Sequence, residues 1–260
     1  MIGAVLGTEF VKLRRSKVTW LSLVAYSIGP AVGALFMWIV QEPERAEQLG
    51  LLGTKANIVG LDASWDTYFL LLTQVTGLGG MILLSVLAAY VFGREYVEGT
   101  AKNMLALPIG RHWFVLGKLT VVLVWFTALT AVVLVETLIL GFALGLPGFS
   151  AHVAAQGAGK VLLASLVAFL LVPVVAWIAA LGKGYLPPLG FAILMLLLGN
   201  VFGATGWGKW FPWSIVPLFA GVAGPRVETL APGSLLVVAL AFLAGVAATV
   251  AQVRYADNLQ

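Results

Sequence analysis

The sequence predicts an all-α polytopic membrane protein, and three observations carry that expectation. Of the 260 residues, 61% are hydrophobic and only 10% are charged, whereas a soluble domain carries about 25% charged residues. Mean hydropathy is +1.02. The apolar residues are gathered into six runs, each near the roughly 20 residues that a helix needs to cross a bilayer.

The chain reads as a single transmembrane domain over residues 1–260. Residues 1–17 are amphipathic. Ile2, Val5, Leu6, Phe10 and Leu13 recur at helical spacing, and Lys12, Arg15 and Lys17 supply a basic face. That pattern describes an interfacial helix lying in the headgroup plane. Its expected membrane-interface residues are Phe10, Lys12, Leu13, Arg15 and Lys17. Spans follow at 18–40, 67–92, 113–145, 157–181, 187–204 and 232–253. The third is longer than a crossing needs, so it is tilted or begins in the interface. Pro173 is expected to kink the fourth. The first run is too long for a signal-peptide core and has no small-residue cleavage site after it, so it reads as a retained helix.

The outer loop 205–231 contains an apolar stretch at 210–222, which Pro212 and Pro217 interrupt. It is too short to span. It reads either as a re-entrant segment before the sixth span, buried in protein, or as a loop lying on the headgroups.

Six crossings place both termini on one side. Ten of the fifteen Lys and Arg residues fall at that side's helix ends, which assigns it to the cytoplasm. The acidic loop with Glu42, Glu44, Glu47, Asp62 and Asp66 then lies outside. Trp20 and Trp113 are expected at the inner interface. Trp38, Trp65, Trp207, Trp210 and Trp213 are expected at the outer one. Because the basic residues flank apolar runs, the net charge of +4 reads as a topology signal and not as a nucleic-acid surface.

Several chemistries are set aside. The chain has no cysteine, so disulfides, thiolate metal sites and cysteine nucleophiles are impossible. Gly203 to Trp210 nearly spells a phosphate-binding loop, but Trp210 stands where a Ser or Thr hydroxyl is required. His112 and His152 fall on opposite sides, and no catalytic constellation surrounds either. Glu136 is the only acid in an expected span. It either reaches the outer interface or faces an outer cavity and touches cargo. The pairs Gly29 and Gly33, Gly141 and Gly145, and Gly199 and Gly203 allow close helix approach, within the chain or at a dimer seam.

The most polar interior stretch is 93–112, GREYVEGTAKNMLALPIGRH. Residues 101–107 can form a short helix, with Thr100 as its N-cap and Pro108 as its stop. A short helix held between two spans is a mechanical handle for a cytoplasmic partner. The plainer alternative is a solvated loop that only sets topology.

These residues resemble the permease subunits of the second, exporter-type family of ABC transporters. The matching stretches are EFVKLRRS at 9–16, GREY at 93–96, Gly99-Thr100, LALP at 105–108, Arg111, Lys118, GYLPPLG at 184–190 and FPW at 211–213. Within that family the chain most resembles bacterial bacitracin-, lantibiotic- and polyene-resistance permeases.

The resemblance implies an interfacial elbow, a cytoplasmic coupling helix after the second span and a re-entrant element before the sixth. It implies an ATPase-coupling set of Arg94, Glu95, Glu98, Thr100, Lys102, Leu105, Pro108 and Arg111. Glu95 would tie the second span to neighbouring cytoplasmic elements, with Arg94, Lys102 or Arg111 as ionic partners. A second, smaller contact is expected at 182–186. Glu136, Pro212 and Trp213 are the candidate translocation-path residues.

The expected function is ATP-driven export of an amphipathic or lipid-like cargo across a bacterial cell membrane. The expected partners are separate ABC ATPase subunits, a second permease and membrane lipid, with no nucleic acid. No cofactor is expected in this chain, and ATP and magnesium belong to the partner ATPase. The rival reading is a membrane scaffold or sensor that docks a signalling protein through the same island.

Overall fold

The computed structural model describes residues 2–50, 62–101, 110–222 and 232–255. Its order is α1 (Ile2–Arg14), α2 (Lys17–Gln41), α3 (Pro43–Gln48), α4 (Trp65–Val97), α5 (Arg111–Ala143), α6 (Ala151–Phe169), α7 (Val172–Gly182), α8 (Leu186–Gly203), a 3₁₀ turn (Gly208–Trp210), α9 (Pro212–Phe219) and α10 (Pro232–Tyr255). Six segments among the described residues are long and apolar enough to cross a membrane, with α6 and α7 together forming the fourth.

Serine caps start three of these helices. Ser16, Ser64 and Ser150 accept hydrogen bonds from the backbone N–H groups of Thr19, Thr67 and Val153, each satisfying one of the orphan donors at a helix start. The α6–α7 break falls at Leu170 and Leu171, with Pro173 in the first turn of α7. Pro173 cannot continue the ladder of α6, so the expected kink is a full interruption. The α10 helix covers the break. Thr249 donates to the Pro173 carbonyl at 3.1 Å, and a methyl group at Gly245 would lie 2.7 Å from the Val174 nitrogen.

The α4 helix is the hub, packing against α2, α5, α6, α7, α8 and α9. In α4 and the α6–α7 pair, 67% and 61% of the spanning window is buried, against 28% or less in α2, α8 and α10. The last three therefore form the outer surface of the bundle. Lipid is as apolar as leucine, so close packing has to hold such helices together. Glycines supply the close approach. Gly29 and Gly33 meet Val75 and Tyr68 of α4, and Gly199 meets the Trp213 backbone. Gly141 meets Trp65, while Gly145 adopts φ +62° and closes the end of α5. Gly29, Gly33, Gly141 and Gly199 thus serve close packing within the chain.

The 210–222 stretch folds into α9, with Trp213, Ser214, Ile215 and Val216 buried. It wedges between α8 and the hub α4. Two tryptophans depart from the expected outer interface. Trp65 is fully buried and packs edge-on against Phe142 and Phe149, each at 5.0 Å. Trp213 is buried against Phe191. In both cases aromatic neighbours hold the ring inside, whereas Trp207 and Trp210 remain exposed.

Candidate functional site

The polar island begins inside a helix. The α4 helix runs unbroken through Arg94 and Glu95 to Val97, past the expected end of the span at 92. It stops at Gly99, which takes φ +69°. There Thr100 N–H bonds the Glu95 carbonyl at 2.9 Å and Gly99 N–H bonds the Tyr96 carbonyl at 3.3 Å. This paired closure satisfies carbonyls that a helix end otherwise leaves open. Thr100 therefore caps the helix that ends before it, and Ala101 is buried beyond it. Lys102, Leu105 and Pro108 lie outside the described residues.

Two turns of α4 carry the site. Lys118, in the second turn of α5, sends its ammonium to Glu95 Oε1 at 2.6 Å, the Val91 carbonyl at 2.7 Å and Glu9 Oε2 at 3.1 Å. Its three donors are thereby matched by three acceptors. Lys12 completes the group, donating to Glu9 Oε1 at 2.8 Å and Glu95 Oε1 at 3.1 Å. Glu9, Glu95 and Lys118 are 6%, 3% and 4% exposed. Such burial is tolerable because two carboxylates meet two ammoniums and the quartet is neutral. The second oxygen of Glu95, Oε2, meets no donor among the described residues. Burial alone pulls the Lys12 ammonium down in pKa, but the Glu9 and Glu95 carboxylates outweigh it and hold Lys12 above the ordinary lysine value.

The quartet joins three elements at one end of the bundle: α1, the end of α4 and the start of α5. The α1 helix lies close on α5, since a methyl group at Gly117 would sit 2.8 Å from a Val5 methyl. The corner from α1 to α2 is also fixed. Ser16 N–H bonds the Leu13 carbonyl at 2.9 Å, and the Thr19 hydroxyl donates to the same carbonyl. Of the elbow residues, Leu13 is buried and Lys12 turns inward to the quartet, while Phe10, Arg15 and Lys17 are exposed. The basic face is therefore split, with Lys12 half-buried and turned toward the quartet.

Glu95 does not pair with Arg94 or Arg111, two of the three ionic partners expected for it. Arg94 pairs instead with Glu98 at 2.7 Å, one turn along α4. Arg111 donates to the carbonyls of Val253 and Arg254 at 2.9 and 2.8 Å, at the negative end of α10. The actual partners, Lys12 and Lys118, come from other helices. The signal for Lys118 was a lone cation inside an otherwise apolar run. Glu9 opened the matching stretch at 9–16, but nothing in that stretch pointed to an ionic role for it.

The second short loop converges on the same place. A methyl group at Gly93 would lie 2.8 Å from the Gly184 carbonyl oxygen. Tyr185 stacks on Tyr90 with ring centroids 6.1 Å apart. The α7–α8 loop and the 93–112 island therefore share the end of α4 as a common base.

The candidate translocation-path residues lie elsewhere. Glu136 accepts a hydrogen bond from the Ser27 hydroxyl at 2.8 Å, and its other oxygen is buried without a donor among the described residues. Ser27 is the eleventh residue of the 25-residue α2, so the carboxylate is aimed into the bundle. Pro212 opens α9, and Trp213 packs under α8. The structure does not bring these three together with the quartet. The near-match to a phosphate loop ends α8 and forms the 3₁₀ turn, with neither the preceding strand nor the following long helix that such a loop requires. Among the described residues no three His, Asp or Glu side chains gather as a metal site.

Six spans, with an ion-braced end that holds two short loops on a single helix, define a multi-pass membrane protein. A sequence profile of the family described as ABC-2 family transporter protein matches residues 5–199, and the chain belongs to that family. It is 31% identical over 179 residues to the bacitracin transport permease protein BCRB of Bacillus licheniformis, covering 68% of this chain and 85% of that relative. Membership of the family implies an ABC ATPase partner in general terms.

Proposed function

We propose that this chain is the membrane-spanning subunit of an ATP-driven exporter in a bacterial cell membrane. Both termini face the cytoplasm, and a separate ATPase grips the 93–112 island. The ATPase holds ATP and its magnesium. A second permease completes the path, and α9 re-enters the outer half of the bilayer. The cargo is amphipathic or lipid-like, an antibiotic or antimicrobial peptide first and a lipid next. Resemblance to a bacitracin permease supports this choice.

One observation carries the reading. The buried quartet of Glu9, Lys12, Glu95 and Lys118 welds the base of the island to two further helices. A pull on the island therefore moves α1, α4 and α5 as one body. A loop that only set topology would not need a buried ionic joint costing several kcal/mol in desolvation. ATP does work on this body by binding one arrangement of the two ATPases better than another.

The test is copurification of an ABC ATPase with this chain from its native membrane, followed by an ATPase assay in lipid. The expected result is a stable complex whose ATPase rate falls at least tenfold when Glu98, exposed beside Arg94, is changed to Lys. Absence of any copurifying ATPase overturns the proposal.

A further inference from the structure

We propose that the α2–α4 face of this permease binds an anionic glycerophospholipid, with the acyl chain in an apolar groove and the phosphate on a cationic cup below it. The groove has a volume of about 530 Å³, within the range of about 300–1,000 Å³ usual for ligand sites. Leu21, Ile28 and Val32 of α2 form one wall, and Val75, Ile82 and Val86 of α4 form the other. From Val18 to Val32 the groove follows α2 for about 21 Å, longer than one hydrocarbon leaflet of about 15 Å.

A second cavity of about 820 Å³ continues it, lined by Lys12, Arg15 and Arg94 with no carboxylate among the lining residues. The two cavities have no lining residue in common, but they follow one another along the chain. On α4 the stripe Val75, Gly79, Ile82, Val86, Tyr90, Arg94 stays on one face at helical spacing. On the other side the chain passes from Ser16 in the cup to Val18 in the groove.

Charge decides the occupant. A zwitterionic lipid brings a cation into the cup with its phosphate and so gains less there than a lipid of net negative charge. A phosphate there faces three cations, of which Lys12 is shared with Glu9 and Glu95 and Arg94 with Glu98. Arg15 has no carboxylate within ion-pairing distance among the described residues, so its guanidinium fork is open for a phosphate. Basic cups between membrane helices hold anionic headgroups for this reason. The inference rests on the proposed orientation only for the choice of leaflet, which is the cytoplasmic one. It is read without ATP or ATPase, so failure of the coupling proposal does not disturb it.

The full chain is reconstituted in phosphatidylcholine nanodiscs with spin-labelled phosphatidylglycerol or with spin-labelled phosphatidylcholine of the same chains. The measurement is the motionally restricted fraction. Phosphatidylglycerol is expected to associate more strongly by on the order of tenfold. Arg15→Gln and Arg94→Gln should each lower that preference about fivefold, while Arg15→Lys largely keeps it. Gly79→Phe should lower retention of both lipids, because nothing among the described residues beyond its own helical turn lies within 4 Å of its Cβ and the ring enters the groove. Ala25→Phe, from the facing wall, should do the same, and Gly190→Phe on the open side of α8 should not.

Equal retention of the two lipids by the native chain overturns the proposal. So does undiminished retention of phosphatidylglycerol in both groove-filling variants. Displacement of the labelled lipid by millimolar inorganic phosphate would assign the cup to a free anion and overturn it too. A second copy seated in the groove is the remaining occupant. A cysteine placed at Leu21, the sole thiol in a chain without cysteine, would then crosslink between copies, and that result also overturns the lipid assignment.

Discussion

Glu95 and Lys118 lie 23 residues apart and meet at 2.6 Å, so the end of α4 and the start of α5 are held directly together rather than only through the island between them. Removing one partner strands the other charges in a buried place, which typically costs about 3–5 kcal/mol. Lys118→Met should therefore lower the thermal midpoint of the purified permease sharply. The double change Glu95→Gln with Lys118→Met should recover part of that loss. A double-mutant cycle on the thermal midpoints checks it, and strict additivity would show that the pair is uncoupled.

Gly93 is the contact at which the α7–α8 loop rests on α4. Gly93→Ala places a methyl group 2.8–2.9 Å from the Gly184 backbone and the Tyr185 ring, closer than such atoms pack. The loop must shift, at a cost of about 1–3 kcal/mol. The prediction is a modest fall in thermal midpoint and a loss of ATPase stimulation well beyond what that fall explains. Gly99→Ala serves as the contrast, since it strains the positive φ at the helix end without touching the loop. Stimulation assays on both variants separate loop docking from helix termination.

The spans were legible because apolar run length is a one-dimensional property. The break at Pro173 was readable for a similar reason, since it follows from local backbone chemistry. The site was half legible. Arg94, Glu95 and Arg111 stood out as charges near apolar runs, but their partners depend on which helices cross, and that is a three-dimensional fact. Lys118 is 23 residues from Glu95 and Glu9 is 86 residues from it, so no local pattern links them. The tryptophans show the same limit. An interface belt is a statistical preference, and it cannot say that Phe142 and Phe149 enclose Trp65.

Lys12 gives the quartet a pH limit at the alkaline end. Its folded-state pKa is raised above the ordinary lysine value by Glu9 and Glu95. A group raised in this way contributes stability that is fully present below its unfolded value, about 10.4. The contribution disappears as the pH climbs through the folded value. Across neutral pH the thermal midpoint should thus be insensitive to Lys12 titration. Above about pH 10.4 it should fall more steeply in the native chain than in Lys12→Arg, whose guanidinium stays charged. Thermal scans of both proteins from pH 9 to pH 12, roughly spanning that value, test the sign, and parallel curves would refute it.

Glu136 has one oxygen on the Ser27 hydroxyl and the other without a donor among the described residues. A carboxylate inside an apolar bundle costs a few kcal/mol in insertion terms, and a glutamine at the same place keeps an acceptor for Ser27 while removing the charge. Glu136→Gln should therefore raise the thermal midpoint. If the carboxylate is there only to reach the outer interface, export should be unaffected. Its aim toward the middle of α2 argues for the other outcome, in which a costly polar group is kept for cargo passage. The expected result is a more stable permease that confers less resistance to the antibiotic proposed as its cargo, at equal expression. Measuring the thermal midpoint and resistance in parallel decides the matter: a gain in stability with full resistance would remove Glu136 from the translocation path.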